Sequence, residues 1–135
     1  MNTADKTQKR LVDCDDRLID VVLDAATSVH CELGPGLLES VYEKALMVEL
    51  DERGIPAECQ TLIPVRYHGQ DLGMGFRADI LVDRSLLLEL KSVKEIIPIH
   101  ISQVITYLKL LGLKRGYLLN FNKRLMKNGM KRISI

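Results

Sequence analysis

The chain has 135 residues, 47% hydrophobic and 27% charged, with a formal net charge of +1. That length fits one domain, and a domain of this size buries roughly two thirds of the surface its unfolded chain exposes, so a core can form without disulfides or a structural metal. The composition excludes collagen, mucin-like stalks and wholesale disorder, and with no Trp and 4% aromatics an aromatic base-stacking platform is not expected.

No apolar run approaches the ~18 residues that span a membrane, and the polar start Met1–Asp16 lacks the apolar core of a signal peptide. A cytoplasmic location is therefore expected. Cys14, Cys31 and Cys59 are odd in number, widely spaced and without a Cys-x-x-Cys pair, and they read as free thiols. The charge is graded along the chain. Residues 1–55 carry 12 acids and 6 bases, whereas residues 114–135 carry 7 bases and no acid. Such a basic end suits a polyanion, or is simply a soluble tail.

Residues 1–14 are expected to be a flexible N-terminus, and 15–135 a single domain. From Arg17 to Leu33, apolar residues recur every three and four positions, which predicts a helix stopped by Gly34-Pro35-Gly36. A second helix, with Leu38, Val41, Tyr42, Ala45, Leu46 and Leu50 inward, ends at Gly54-Ile55-Pro56. Strands are predicted over 57–67, 72–82 and 85–93, the last two joined by Asp83-Arg84-Ser85. Leu86, Leu87 and Leu88 form a short apolar run typical of a buried central strand. A third helix follows Pro98, over 99–112, then strands over 115–121 and 130–135. The order ααβββαβ(β) predicts an α/β or α+β sandwich with one mixed sheet.

Glu89 and Lys91 lie two apart on a predicted strand and project to one side. Alone they read equally as a structural ion pair, since isolated charges are costly to bury. On the preceding strand, alternation puts Ala78, Ile80 and Val82 on one face and Asp79 on the other. If Asp83-Arg84-Ser85 is a three-residue loop, Val82 lies opposite Leu86 and Asp79 opposite Glu89, with Cα atoms about 4.5–5.5 Å apart. Two carboxylates that close repel unless a cation joins them, and a hard divalent ion suits oxygen ligands. A two-residue loop would place the acids on opposite faces. Glu39, in the first turn of the second helix, either complements the helix dipole or serves as a third acid. Gln103 and Tyr107 share a helix face four residues apart, with His100 three before Gln103. His30 and His68 read as structural and solvated.

Taken in order, Asp79, Glu89-x-Lys91 and Gln103-x-x-x-Tyr107 resemble the PD-(D/E)-x-K nuclease superfamily, in the Gln-x-x-x-Tyr variant of RecB-like and λ-exonuclease-like enzymes. Gly36-x-x-Glu39-x-x-Tyr42 resembles the GxxExxY proteins, a small bacterial and archaeal group usually placed there, as do Gln60, Tyr67, Asn120-Phe121 and the Arg132 region. The resemblance covers residues 15–135. Ala78 stands where the superfamily name has Pro.

The resemblance implies a restriction-endonuclease-like core and Mg²⁺ or Mn²⁺ held by Asp79, Glu89, the Leu90 carbonyl and Glu39. It also implies that Lys91 orients or deprotonates the attacking water, with Gln103 and Tyr107 positioning the site. The expected activity is metal-dependent hydrolysis of phosphodiester bonds, with DNA as the first-choice substrate. Lys123, Arg124 and Lys127 are the candidate residues for holding phosphate. A homodimer is compatible with the sequence. The alternatives are a silent nuclease-like fold that binds nucleic acid or protein, and a structural ion network in an unrelated α/β protein.

Overall fold

The computed structural model describes residues 10–135. Along them lie α1 (Asp16–Leu33), α2 (Glu39–Glu52), β1 (Ala57–Tyr67), β2 (Gln70–Val82), β3 (Leu86–Lys91), α3 (Pro98–Leu111), β4 (Arg115–Asn120), a 3₁₀ turn (Met126–Gly129) and β5 (Met130–Ser134). The element order is the expected one, and the mixed sheet flanked by helices is consistent with a restriction-endonuclease-like core.

Each helix has a local reason to begin and end. Asp15 caps α1 by accepting a 2.8 Å hydrogen bond from the Leu18 N–H. Pro98 opens α3, where His100 Nδ1 accepts from the Ile97 N–H (3.1 Å), and Gly112 closes it in a left-handed conformation. His100 is thereby a helix cap.

The strands run in the order β1-β2-β3-β4-β5. The pairing is antiparallel except between β3 and β4, which are parallel with α3 as their crossover. The sheet has a core on each face. Ile80, Val82, Leu86, Leu88 and Leu90 pack with α1 and α2, whereas Leu81, Leu87 and Leu118 pack with Val104 and Leu108 of α3. The central strand β3 is buried on both sides, which explains its unbroken leucine run. Leu86, Leu87 and Leu88 are fully buried, and each contributes on the order of 2 kcal/mol.

Several boundaries differ from expectation. β2 starts at Gln70 because a two-residue turn, His68-Gly69, with φ of 50° and 76°, lets Tyr67 pair with Gln70. β3 stops at Lys91, because the next two backbone N–H groups donate to side chains, Ser92 to Glu39 and Val93 to Asn120, while the Ser92 hydroxyl donates to the Leu37 carbonyl. The 3₁₀ turn has no counterpart among the elements expected from sequence. Of the segment expected to be flexible, residues 1–9 lie outside the described residues. Residues 12–14, in contrast, are tied down: the Val12 N–H donates to the Gly112 carbonyl (2.9 Å), its own carbonyl accepts from Lys114 (2.8 Å), and Cys14 is buried.

Candidate active site

β2 and β3 pair as Val82↔Leu86, Leu81↔Leu87 and Ile80↔Leu88. This is the register of a three-residue loop, with Asp83 and Arg84 both at positive φ. The next step would set Asp79 against Glu89, but there the backbone ladder stops and side chains take over. The Asp79 N–H donates to Glu89 Oε2, and the Leu90 N–H donates to Asp79 Oδ2, both at 2.8 Å. The two acids thus interlock across a notch where the strands part. Among the described residues, Asp79 Oδ1 and Glu89 Oε1 accept no hydrogen bond.

The notch is an unfavourable place for negative charge. Glu89 is 3% exposed. Burial, followed by the charge of Asp79, pushes its carboxyl up to about 8. Burial also raises Asp79, against the pull of the Leu90 N–H, and the charges of Glu43 and Glu39 raise it further. Lys91, half-buried, lowers both, yet it forms no ion pair among the described residues.

Asp79 and Leu90 line a cleft of about 260 Å³ with Glu39, Ser40, Glu43 and Gln60. Glu39 is held over the notch by the loop before α2. Gly36 has φ 96°, a conformation glycine takes without strain. Tyr42, fully buried, donates to the Gly34 carbonyl (2.5 Å), accepts from the Leu37 N–H (3.0 Å) and stacks on Phe121 with centroids 4.5 Å apart. The Gly-x-x-Glu-x-x-Tyr spacing therefore encodes a stapled turn that fixes the start of α2. Glu39 Oε2 then accepts from the Ser92 N–H at 3.3 Å, and Ser92 Oγ donates to the Leu37 carbonyl at 2.7 Å.

On α3, Gln103 Nε2 donates to the Tyr107 hydroxyl (3.1 Å). Burial, then the charges of Glu89 and Asp79, hold the Tyr107 phenol above its ordinary value. It is a phenol kept protonated beside two acids, with the Phe76 ring 5.2 Å from its own.

The basic end is divided. Lys123 pairs with Glu95 (3.3 Å) in an exposed contact. Arg124 and Lys127 line another cleft with His30, Gly34 and Pro35. The three cations therefore do not line the acidic cleft. The loop 34–38 lies between the two clefts along the chain.

Three residues of the site have roles not expected from sequence, although Asn120 is among those that carry the family resemblance. Glu43 lies one turn beyond Glu39, an i+4 signal that the sequence does carry. Asn120, fully buried, grips both the N–H (3.1 Å) and the carbonyl (2.9 Å) of Val93 and so anchors the chain leaving β3. Ser92 braces Glu39, which only the fold brings near.

Among the described residues, no three Asp, Glu, His or Cys side chains are gathered as a metal centre. The donor chemistry nevertheless fits a hard divalent cation: a buried Glu89 and a half-buried Asp79, each with an unbonded oxygen, the charge of both opposed by burial and that of Glu89 also by Asp79.

A sequence model of the PD-(D/E)XK nuclease superfamily matches residues 16–133. The chain belongs to that superfamily, whose members are usually nucleases and generally use divalent metals. No curated protein and no solved structure matches it significantly. Among the described residues no helix is long and apolar enough to cross a membrane.

Proposed function

We propose that this protein is a divalent-metal-dependent nuclease that hydrolyses phosphodiester bonds of DNA, of the Gln-x-x-x-Tyr type and within the GxxExxY group. The observation that carries this reading is the notch between β2 and β3. There Asp79 and Glu89 interlock through each other's strands, with Lys91 two residues on and Glu39 held above. In the proposal Asp79, Glu89, the Leu90 carbonyl and Glu39 hold Mg²⁺ or Mn²⁺. The ion supplies a Lewis acid and a water of lowered pKa.

The remaining work falls to the chain. Lys91 is the last residue of β3, with no carboxylate committed to it among the described residues. Its ammonium is available to orient the attacking water and to offset charge on the phosphate as it develops. Tyr107 remains a donor, and Gln103 fixes its hydroxyl. Glu39 reaches the notch from a different element, so its position depends on the Tyr42 staple. Arg124 and Lys127 hold the phosphate backbone outside the acidic cleft, where their charge does not compete with the cation. A cytoplasmic location accompanies the proposal.

The test is incubation of the purified protein with single- and double-stranded DNA and RNA in Mg²⁺, Mn²⁺ or EDTA. Cleavage of DNA in metal but not in EDTA is expected. Binding without cleavage of any substrate in either metal contradicts it and favours a silent nucleic-acid-binding module. That second reading has one observation in its favour, the lack of three gathered metal-holding side chains among the described residues.

A further inference from the structure

Opposite Asp79, on the edge strand β1, stands Gln60. The β1–β2 ladder pairs Glu58↔Leu81, Cys59↔Ile80, Thr61↔Ala78 and Leu62↔Arg77, and skips only Gln60 and Asp79 within this run. Gln60 has φ 54°. This is a left-handed conformation that L side chains adopt at a cost and that extended strands do not use.

The consequence appears in the neighbours. Ile80 packs in the core under α1 and α2, whereas Ala78, two residues earlier, packs in the core under α3. Regular alternation would set both on one face, as expected from sequence. The alternation of β2 therefore slips at Asp79. At the same residue β2 leaves β3, and the carboxylates replace the backbone bonds. No residue is inserted here, since the register is the same on both sides, so the left-handed residue itself breaks the extended geometry that alternation requires.

Both ends of Gln60 are secured. Its carbonyl accepts from Arg77 Nη1 at 3.2 Å, and its side-chain Nε2 donates to Glu43 Oε1 at 2.6 Å. Beside it, Thr61 Oγ1 is buried with no hydrogen-bond partner among the described residues. A strained conformation held from two sides next to acids that need an opening is a device for making that opening.

We infer that Gln60 is a positioning residue: its left-handed backbone, locked by Arg77 and Glu43, bends the β1–β2 ribbon at Asp79 and opens the notch in which Asp79 and Glu89 sit. Gln60 lines the cleft with Asp79, and the role inferred for it is one of placement. It acts through Asp79. The metal half of the test rests on the proposed nuclease reading. The structural half does not.

The experiment compares Gln60→Gly with Gln60→Val in the full chain. Glycine keeps the left-handed backbone without the side chain, whereas β-branched valine opposes that backbone. Two readouts are taken, the backbone amide resonances of Asp79 and Leu90 in ¹⁵N-labelled protein, and the affinity for Mn²⁺ by calorimetry. Gln60→Gly should keep both amide resonances near their wild-type positions and Mn²⁺ affinity within about threefold. Gln60→Val should displace both amides and weaken Mn²⁺ at least tenfold. If Gln60→Val does not fold, Gln60→Ala replaces it, with the same direction and a smaller displacement. Wild-type amides and Mn²⁺ affinity in the folded Val or Ala variant overturn the inference, as does a Gly variant displaced as far as the Val or Ala variant. A wild-type protein that neither binds Mn²⁺ nor cuts DNA defeats the nuclease reading alone, because the amide comparison still decides the role of Gln60.

Discussion

Two polar clusters sit at opposite ends of the central strands, and they are built on opposite principles. At the start of β4, buried Arg115 donates from Nε to Asp13 (2.7 Å), from Nη1 to Asp16 (2.8 Å) and from Nη2 to the Cys14 carbonyl. Asp13 is held below the usual carboxylate range by that guanidinium, and Arg115 is raised by its two acids. At the far end of β3, Asp79 and Glu89 have backbone N–H groups and, among the described residues, no ion pair, and both are raised. A cluster whose charges are matched serves to tie segments together, here the approach to α1 onto β4. A cluster whose charges are unmatched costs stability and is retained where a further cation completes it.

Lys91→Ala should abolish cleavage, by 10²–10³-fold or more, because it acts where charge develops in the transition state. The melting temperature should stay the same, and binding to DNA in Ca²⁺ should be only slightly weaker. Arg115→Ala should do the reverse. Removing its charge-assisted bonds and leaving the Cys14 carbonyl unmet costs about 2 kcal/mol, or on the order of 5 °C in melting temperature, with cleavage below the transition unchanged. Absence of cleavage in folded Arg115→Ala would break the distinction between the two clusters.

A pH series in EDTA sharpens it. Glu89 has its ordinary value of 4.5 in the unfolded chain and about 8 when folded. The folded state therefore holds the proton more tightly. Its contribution to stability is complete below pH 4.5 and is lost as the pH rises through about 8. Metal-free protein should melt several degrees lower at pH 8 than at pH 5, read by calorimetry. Glu89→Gln should flatten that slope, and a wild-type slope retained in the variant assigns it elsewhere.

The smallest effects lie in the basic end. Alanine at Arg124 or Lys127 should weaken DNA binding across sequences and lower the slope of log affinity against log salt by about 0.9 for each duplex phosphate that the variant no longer neutralises. Lys123→Ala should do less, because Lys123 already answers Glu95. Lys91→Ala should leave that slope almost unchanged. Fluorescence anisotropy at several salt concentrations measures all four.

Much of this is legible in the sequence because it is local. The helical periods, the glycine stops and the leucine run of β3 follow from neighbours within a few residues. The notch is legible one step further, because the three residues Asp83-Arg84-Ser85 set the register that carries Asp79 to Glu89. Arg115 is not legible as a partner of Asp13 and Asp16, which lie about 100 residues away in the chain. The roles of Asn120, which the resemblance marks without a role, and of Ser92 are hidden for the same reason, since their side chains act on backbone groups brought close only by the fold. The role of Gln60, which the resemblance marks without a role, is hidden by its backbone. Its conformation belongs to the strained minority that propensity does not describe, and alternation across it fails at Ala78.

In the proposed function, Asp79 and Glu89 form a cluster that a divalent cation completes. The most direct measurement is the melting temperature of the wild type and Glu89→Gln at pH 8, each in EDTA and in millimolar Mn²⁺. A ligand that binds only the folded state stabilises it by mass action. Wild type should gain several degrees in Mn²⁺, whereas Glu89→Gln should begin higher in EDTA and gain little. Equal Mn²⁺ shifts in both proteins, or no shift in the wild type, would contradict it.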